Sequence, residues 1–222
     1  MCGRTTLTLE LPFMKEILSL KHWEKEEYYA VRYNIAPTQE TPILVDDGFR
    51  RVRPMRWGLV PSWAREIPQG SQMINARAET LLEKPSFRHL VPRRRCVVLT
   101  DGFYEWKKER GRKTPYYIHL PRGGLIPMAG LWDIWKGQPG YQLYSYTIVT
   151  TEPKPEIAFI HNRMPVILEM HNLDIWLKTQ DFGVKEAVEL LKPYPGDLEA
   201  YPVSTFVNSP ANDSPKCVAR LG

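Results

Sequence analysis

The sequence predicts an α+β fold: one domain with a twisted, mostly antiparallel, barrel-like β core and peripheral helices. Three observations carry that expectation. Many short runs rich in β-branched and aromatic residues follow one another along the chain. Twenty prolines and fourteen glycines punctuate them as turns. The runs do not alternate regularly with helical segments, which argues against a doubly wound parallel sheet. The 222 residues suffice for a substantial core, and 43% hydrophobic with 25% charged residues is the balance of a soluble globular chain. No linker-like stretch divides the chain, so residues 1–222 read as a single domain, with a loosely ordered tail expected after about Asn208.

In chain order, Leu9 to Lys21 has amphipathic helical spacing through Leu11, Met14, Ile17 and Leu18. Strands are predicted at Ile43–Val45, Val52–Trp57, Arg95–Thr100, Phe103–Trp106, Pro115–Leu120, Ile126–Trp135 and Leu143–Thr151. Met164–Leu168 and Tyr201–Ser204 complete the set. A second helix is predicted from Asn172, as N-cap, to Lys178, and a third from Val184 to Leu191 after Gly183. The Arg93-Arg94-Arg95 run reads as a solvated edge with capacity for a phosphate contact.

Composition also excludes several classes. No apolar run is long enough to span a bilayer. The N-terminus lacks the charged region, apolar stretch and small-residue site of a signal peptide, so a cytoplasmic protein is expected. Three cysteines, Cys2, Cys96 and Cys217, make no disulfide framework, and Cys96 in an apolar run reads as a small core residue. There is no C-x-x-C, no H-E-x-x-H, no G-x-G-x-x-G and no P-loop, so neither a metal nor a cofactor is expected. The net charge of +5 is compatible with nucleic acid without being diagnostic.

Four segments carry candidate chemistry. Removal of Met1 would leave Cys2 with an α-amine and a thiol on adjacent carbons, with ordinary pKa values of about 8 and about 8.5. Such a 1,2-aminothiol can attack an acyl carbon, or condense with an aldehyde to a Schiff base and then a thiazolidine. In Ile74-Asn75-Ala76-Arg77-Ala78-Glu79-Thr80, Asn75 and Arg77 share a side if the stretch is extended. The same stretch also reads as a polar loop with Asn75 capping a helix. In Phe103-Tyr104-Glu105-Trp106-Lys107, Glu105 sits among aromatics, as a proton-shuttling carboxyl with a raised pKa would, or as a solvent-facing residue of an alternating strand. In Ile160-His161-Asn162-Arg163-Met164-Pro165, His161 is either a general acid–base or a satisfied core histidine.

Taken together, these segments resemble the SOS-response-associated peptidase family, whose members sense abasic sites in single-stranded DNA. Tyr33-Asn34-Ile35-Ala36-Pro37, Arg56-Trp57-Gly58-Leu59-Val60-Pro61 and Val207-Asn208-Ser209-Pro210 extend the match through nearly the whole chain. The resemblance implies that Cys2 is the nucleophile after Met1 removal. It further implies that Asn75 holds the amine and sugar-derived atoms, Glu105 shuttles protons and His161 acts on the sugar oxygen. Arg4, Arg77 and Arg163 would bind flanking phosphates, Trp63 would wedge against bases and Thr150 would lie near the site. The implied product is a thiazolidine DNA–protein crosslink, with β-elimination of the Schiff base as a weak lyase activity; Met1 would be lost either autocatalytically, as the family name implies, or to a housekeeping aminopeptidase, since residue two is small. The partner would be single-stranded DNA containing abasic sites, engaged by a monomer that associates with the nucleoid when bound, with no membrane partner. Two positions depart from the family pattern: Thr5 replaces a usual Phe, and Asn162 a usual Asp beside His161. Two other readings stand beside this one: an N-terminal-nucleophile amidohydrolase of the glutamine amidotransferase type, and a non-catalytic single-strand binding module.

Overall fold

The β-branched and aromatic runs become strands, and short strands also form where no such run exists. The structure, a computed structural model, describes residues 2–70, 72–138 and 140–221. Among these the strands are β1 (Thr5–Leu7), β2 (Arg32–Ile35), β3 (Glu40–Asp46), β4 (Arg50–Trp57), β5 (Asn75–Arg77) and β6 (Arg95–Thr100). They continue as β7 (Gly102–Glu109), β8 (Arg112–His119), β9 (Ile126–Gln138), β10 (Tyr141–Thr151), β11 (Met164–Pro165) and β12 (Glu199–Pro202). The helices are α1 (Leu11–Ile17), α2 (Pro85–Arg88), α3 (Pro155–Ala158), α4 (Leu173–Leu177) and α5 (Val184–Val188).

Five strands close into a barrel. β10 pairs with β4, β4 with β3, β3 with β6, β6 with β9, and β9 again with β10. All of these pairings are antiparallel except β4–β10. Closure removes the free edges of the sheet, and Ile43, Leu44, Val52, Val97, Leu131 and Ile148 are fully buried or nearly so. Gly130 sits at the seam, paired with Cys96 of β6 and Ile148 of β10. A Cβ there would stand 2.9 Å from both the Cys96 sulfur and the Thr147 carbonyl oxygen, so only glycine lets the strands approach this closely.

The second sheet runs β12-β8-β7-β1-β2. Tyr104 and Tyr117 pack with Val203, Val207 and Cys217 in a small apolar cluster of their own. The tail after Asn208, expected to be loose, is pinned to β2. Asp213 binds the Arg32 side chain and accepts the Tyr33 N–H at 2.6 Å. The Asn34 amide donates to the Ser209 and Asn212 carbonyls at 3.0 and 2.6 Å. Cys217 is fully buried. Polar composition suggested looseness, but these partners lie more than 170 residues away in sequence.

The helices are shorter than their patterns predict. α1 stops at Ile17 because Ser19 takes a left-handed conformation (φ 50°) and the Leu20 N–H returns to the Lys15 carbonyl. Asn172 does not cap α4 through its side chain; a 3₁₀ turn over Met170–Asn172 runs straight into the helix. Arg95 is not a solvated edge. It is 1% exposed and donates to the carbonyls of Val91, Trp176, Phe182 and Gly183, so its charge is met by carbonyl dipoles, including one in the last turn of α4.

Candidate active site at the amino terminus

The barrel strand β10 places Asn75. β4 runs beside it as far as Trp57, and then Gly58, at φ +110°, turns the chain away while its N–H still donates to the Tyr146 carbonyl. After an excursion, β5 rejoins the same edge of β10, with Asn75, Ala76 and Arg77 opposite Ile148, Val149 and Thr150. Asn75 therefore lies in a strand and caps no helix. Ala76 points into the core, while Asn75 is half-buried and Arg77 exposed on the other side.

Residues 2–4 lie along β7, where the Tyr104 N–H donates to the Arg4 carbonyl at 2.9 Å. Cys2 is completely buried, and the Asn75 amide donates to its carbonyl at 2.8 Å. The buried Asn75 Oδ1 accepts no hydrogen bond from the described residues. Burial pushes the Cys2 thiol well above its ordinary pKa, and the nearby Glu105 charge pushes it further. Glu105, on β7, is 3% exposed, and burial raises its carboxyl as well.

His161 is half-buried, which lowers its pKa and keeps the ring neutral near pH 7. Its Nδ1 accepts the Arg163 N–H at 3.1 Å, so the proton of the neutral ring sits on Nε2. The departure at Asn162 leaves that bond untouched, since Asn162 itself is exposed. Thr5, the other departure, is buried in β1 opposite Ile35 and Phe103.

The arginines are not equivalent. Arg77 is exposed. Arg163 forms a two-pronged pair with Glu79 at 2.6 and 2.9 Å and donates to the Thr150 carbonyl at 2.5 Å. Its charge holds the Glu79 carboxyl below the usual range. Thr150 is fully buried beneath this pair. Arg4 is 9% exposed and donates to Asn34 Oδ1 and the Val207 carbonyl, both at 2.6 Å, tying the N-terminus to the tail.

An open cleft of about 450 Å³ is lined by Gly3, Arg4, Glu105, Trp106, His161 and Asn208, together with Lys108 and Lys113. Trp106 Nε1 donates to Asn208 Oδ1 at 2.8 Å. Sequence reasoning assigned roles to neither Trp106 nor Asn208, although both fall inside recognised motifs. It also passed over Glu79 as the partner of Arg163. Trp63 does not line the cleft. It is 62% exposed on the loop between β4 and β5, where the neighbouring Ser62 N–H donates to Asp133 opposite Ser145, roughly 10 Å along β10 from Asn75.

The arrangement gathers a buried cysteine next to the chain's first residue, a carboxyl with a raised pKa, a neutral imidazole with Nε2–H, and nearby cations. That set suits proton-assisted addition to a carbonyl carbon. Among the described residues no group of His, Cys, Asp and Glu could hold a metal ion, and no helix is long and apolar enough to cross a membrane.

The chain belongs to the SOS response associated peptidase (SRAP) family, whose description matches residues 1–210. It is 42% identical over 221 residues to the abasic site processing protein YoqW of Bacillus subtilis (strain 168), covering 98% of this chain and 99% of that one. The abasic site processing protein HMCES of Gallus gallus is 34% identical over 263 residues, covering all of this chain and 78% of its own. A crystal structure of a protein from Bacteroides thetaiotaomicron superposes with a TM-score of 0.85 at 27% identity, covering 99% of this chain and all of that one.

Proposed function

We propose that this chain processes abasic sites in single-stranded DNA by trapping the open-chain aldehyde on Cys2 once Met1 has been removed. One observation carries the reading: Cys2 is buried with the Asn75 amide on its carbonyl and the Glu105 carboxyl nearby, next to Gly3 in a cleft that Glu105 and His161 also line. The names of its relatives, abasic site processing proteins, agree with it.

In this reading His161, with its proton on Nε2, donates toward the sugar ring oxygen and assists opening of the closed hemiacetal. The Cys2 amine attacks the aldehyde carbon, and Glu105 relays the proton that lets water leave, giving a Schiff base. The sulfur then adds to the imine carbon while its proton passes to nitrogen. One water is lost overall and nothing is oxidised or reduced. The adjacent thiol acts at high effective molarity, so ring closure follows readily. A missing base needs no flipping, and an open cleft for the backbone suffices. β-Elimination from the Schiff base supplies a weak lyase activity, and the same Cys2 and Glu105 serve the hydrolysis that frees Cys2 from Met1. Arg77, exposed beside Asn75, contacts a flanking phosphate, while Arg163 and Arg4 act by holding the site together.

The test is a denaturing gel of the full chain incubated with single-stranded DNA carrying one abasic site. A covalent band is expected from the processed protein. It is lost in Cys2→Ala and equally in a chain extended at its N-terminus, because the reaction needs both amine and thiol. Glutamine hydrolysis without a band would instead favour the amidohydrolase, and undiminished retention by Cys2→Ala the non-covalent module.

A further inference from the structure

The hairpin of β7 and β8 turns through Arg110 (φ 46°) and Gly111 (φ 78°), a two-residue loop that matches the strand twist and holds the register rigidly. Its last rung pairs Glu109 with Arg112, opposite charges as a hairpin favours. The rung before it pairs Lys108 with Lys113, two like charges directly opposite, an arrangement that repels. Neither ammonium has a carboxylate within ion-pair distance among the described residues, although Lys107 next door pairs with Glu109 at 2.9 Å. Both lysines are exposed, and both line the same cleft as Glu105 and His161.

We propose that Lys108 and Lys113 form an anion site that holds a backbone phosphate of the DNA strand threading the cleft beside Cys2. The inference rests on the reading of this cleft as a DNA site and adds a contact that the arginines do not supply. Cross-strand neighbours stand about 5 Å apart at Cβ, so their flexible stems bracket one phosphodiester oxygen pair. Bound anion cancels the repulsion that the rung otherwise carries. Lys108 is also close enough to His161 for its charge to help lower the imidazole pKa. A phosphate at the rung therefore sits within electrostatic reach of the proposed proton donor.

The experiment measures binding of a fluorescent oligothymidylate without abasic sites to the full chain by anisotropy, across 50–200 mM NaCl. Wild type is compared with Lys108→Ala/Lys113→Ala and with Lys108→Arg/Lys113→Arg. For a single strand, each phosphate that is no longer neutralised lowers the slope of log K against log salt by about 0.7. The alanine pair is expected to weaken binding several-fold at 50 mM and to flatten the slope by about that amount. The arginine pair is expected to restore both. An unchanged slope in the alanine pair, or a weakened affinity that arginine does not rescue, overturns the site. The covalent band on abasic DNA is scored separately. A band with an unchanged slope removes the lysine site alone, and a flattened slope without any wild-type band removes only the covalent reading.

Discussion

At the residue scale, the site is a balance of shifted protonation states. Burial keeps the Cys2 sulfur as a thiol, so in the proposed chemistry the amine leads and the sulfur follows. Glu105 is the group whose shift matters to both rate and stability. Its folded pKa lies above the unfolded one, so folding favours the protonated form. Stability is therefore greatest below the unfolded value and falls as pH rises through the folded one. Glu105→Gln should accordingly raise the melting temperature by a few degrees at pH 7, with the gain vanishing near pH 4. The same change should slow crosslinking by roughly 10²–10⁴-fold and flatten the acid limb of its pH profile. Thermal melts and single-turnover gels at matched pH check both halves. Cys2, Asn75, Glu105 and His161 could be singled out from the sequence because each stands in a compact motif. The Glu79–Arg163 pair was not, because it joins positions 84 apart in sequence.

At the element scale, the interrupted strand decides where Asn75 lies. β4 and β5 are two pieces laid along one edge of β10, and Gly58 is the point at which the chain departs. Its φ of +110° disfavours any side chain, and a Cβ would come within 3.0 Å of the Gln72 carbonyl oxygen. Gly58→Ala should cost about 1–3 kcal/mol in urea unfolding and should slow crosslinking, because strain there displaces β5. The long strands were readable from their composition. β1 and β5 were not predicted as strands, since three residues paired to partners distant in sequence leave little local periodicity.

The tail makes a second case at this scale. Residues beyond 210 fall outside the family match, yet they supply Asp213 and Asn212 to β2 and Cys217 to the tyrosine cluster. Truncation after Ser209 should lower stability by at least ~2 kcal/mol, read as several degrees of melting temperature. The covalent band should weaken along with it, because the removed segment supplies the Asn212 carbonyl that holds Asn34, which in turn holds Arg4.

At the scale of the whole molecule, closure of the barrel is the organising event. Gly130→Ala should cost about 1–3 kcal/mol, because one of the two nearest obstacles is backbone and the strands cannot part without opening the ring. A barrel-like core was foreseeable from many short strands between turns. Which strand closes it was not, since that depends on the parallel pairing of β4 with β10 across nearly ninety residues.

That pairing has a consequence for the timing of synthesis. The ring cannot close until β10 has left the ribosome, so no pocket awaits Cys2 until some 150 residues have been made. At ordinary translation rates that takes on the order of ten seconds or more. During this interval the first residues of the nascent chain remain reachable by a cotranslational aminopeptidase. Exposure of the first residues and burial of Cys2 are thus separated in time by the order in which the strands emerge.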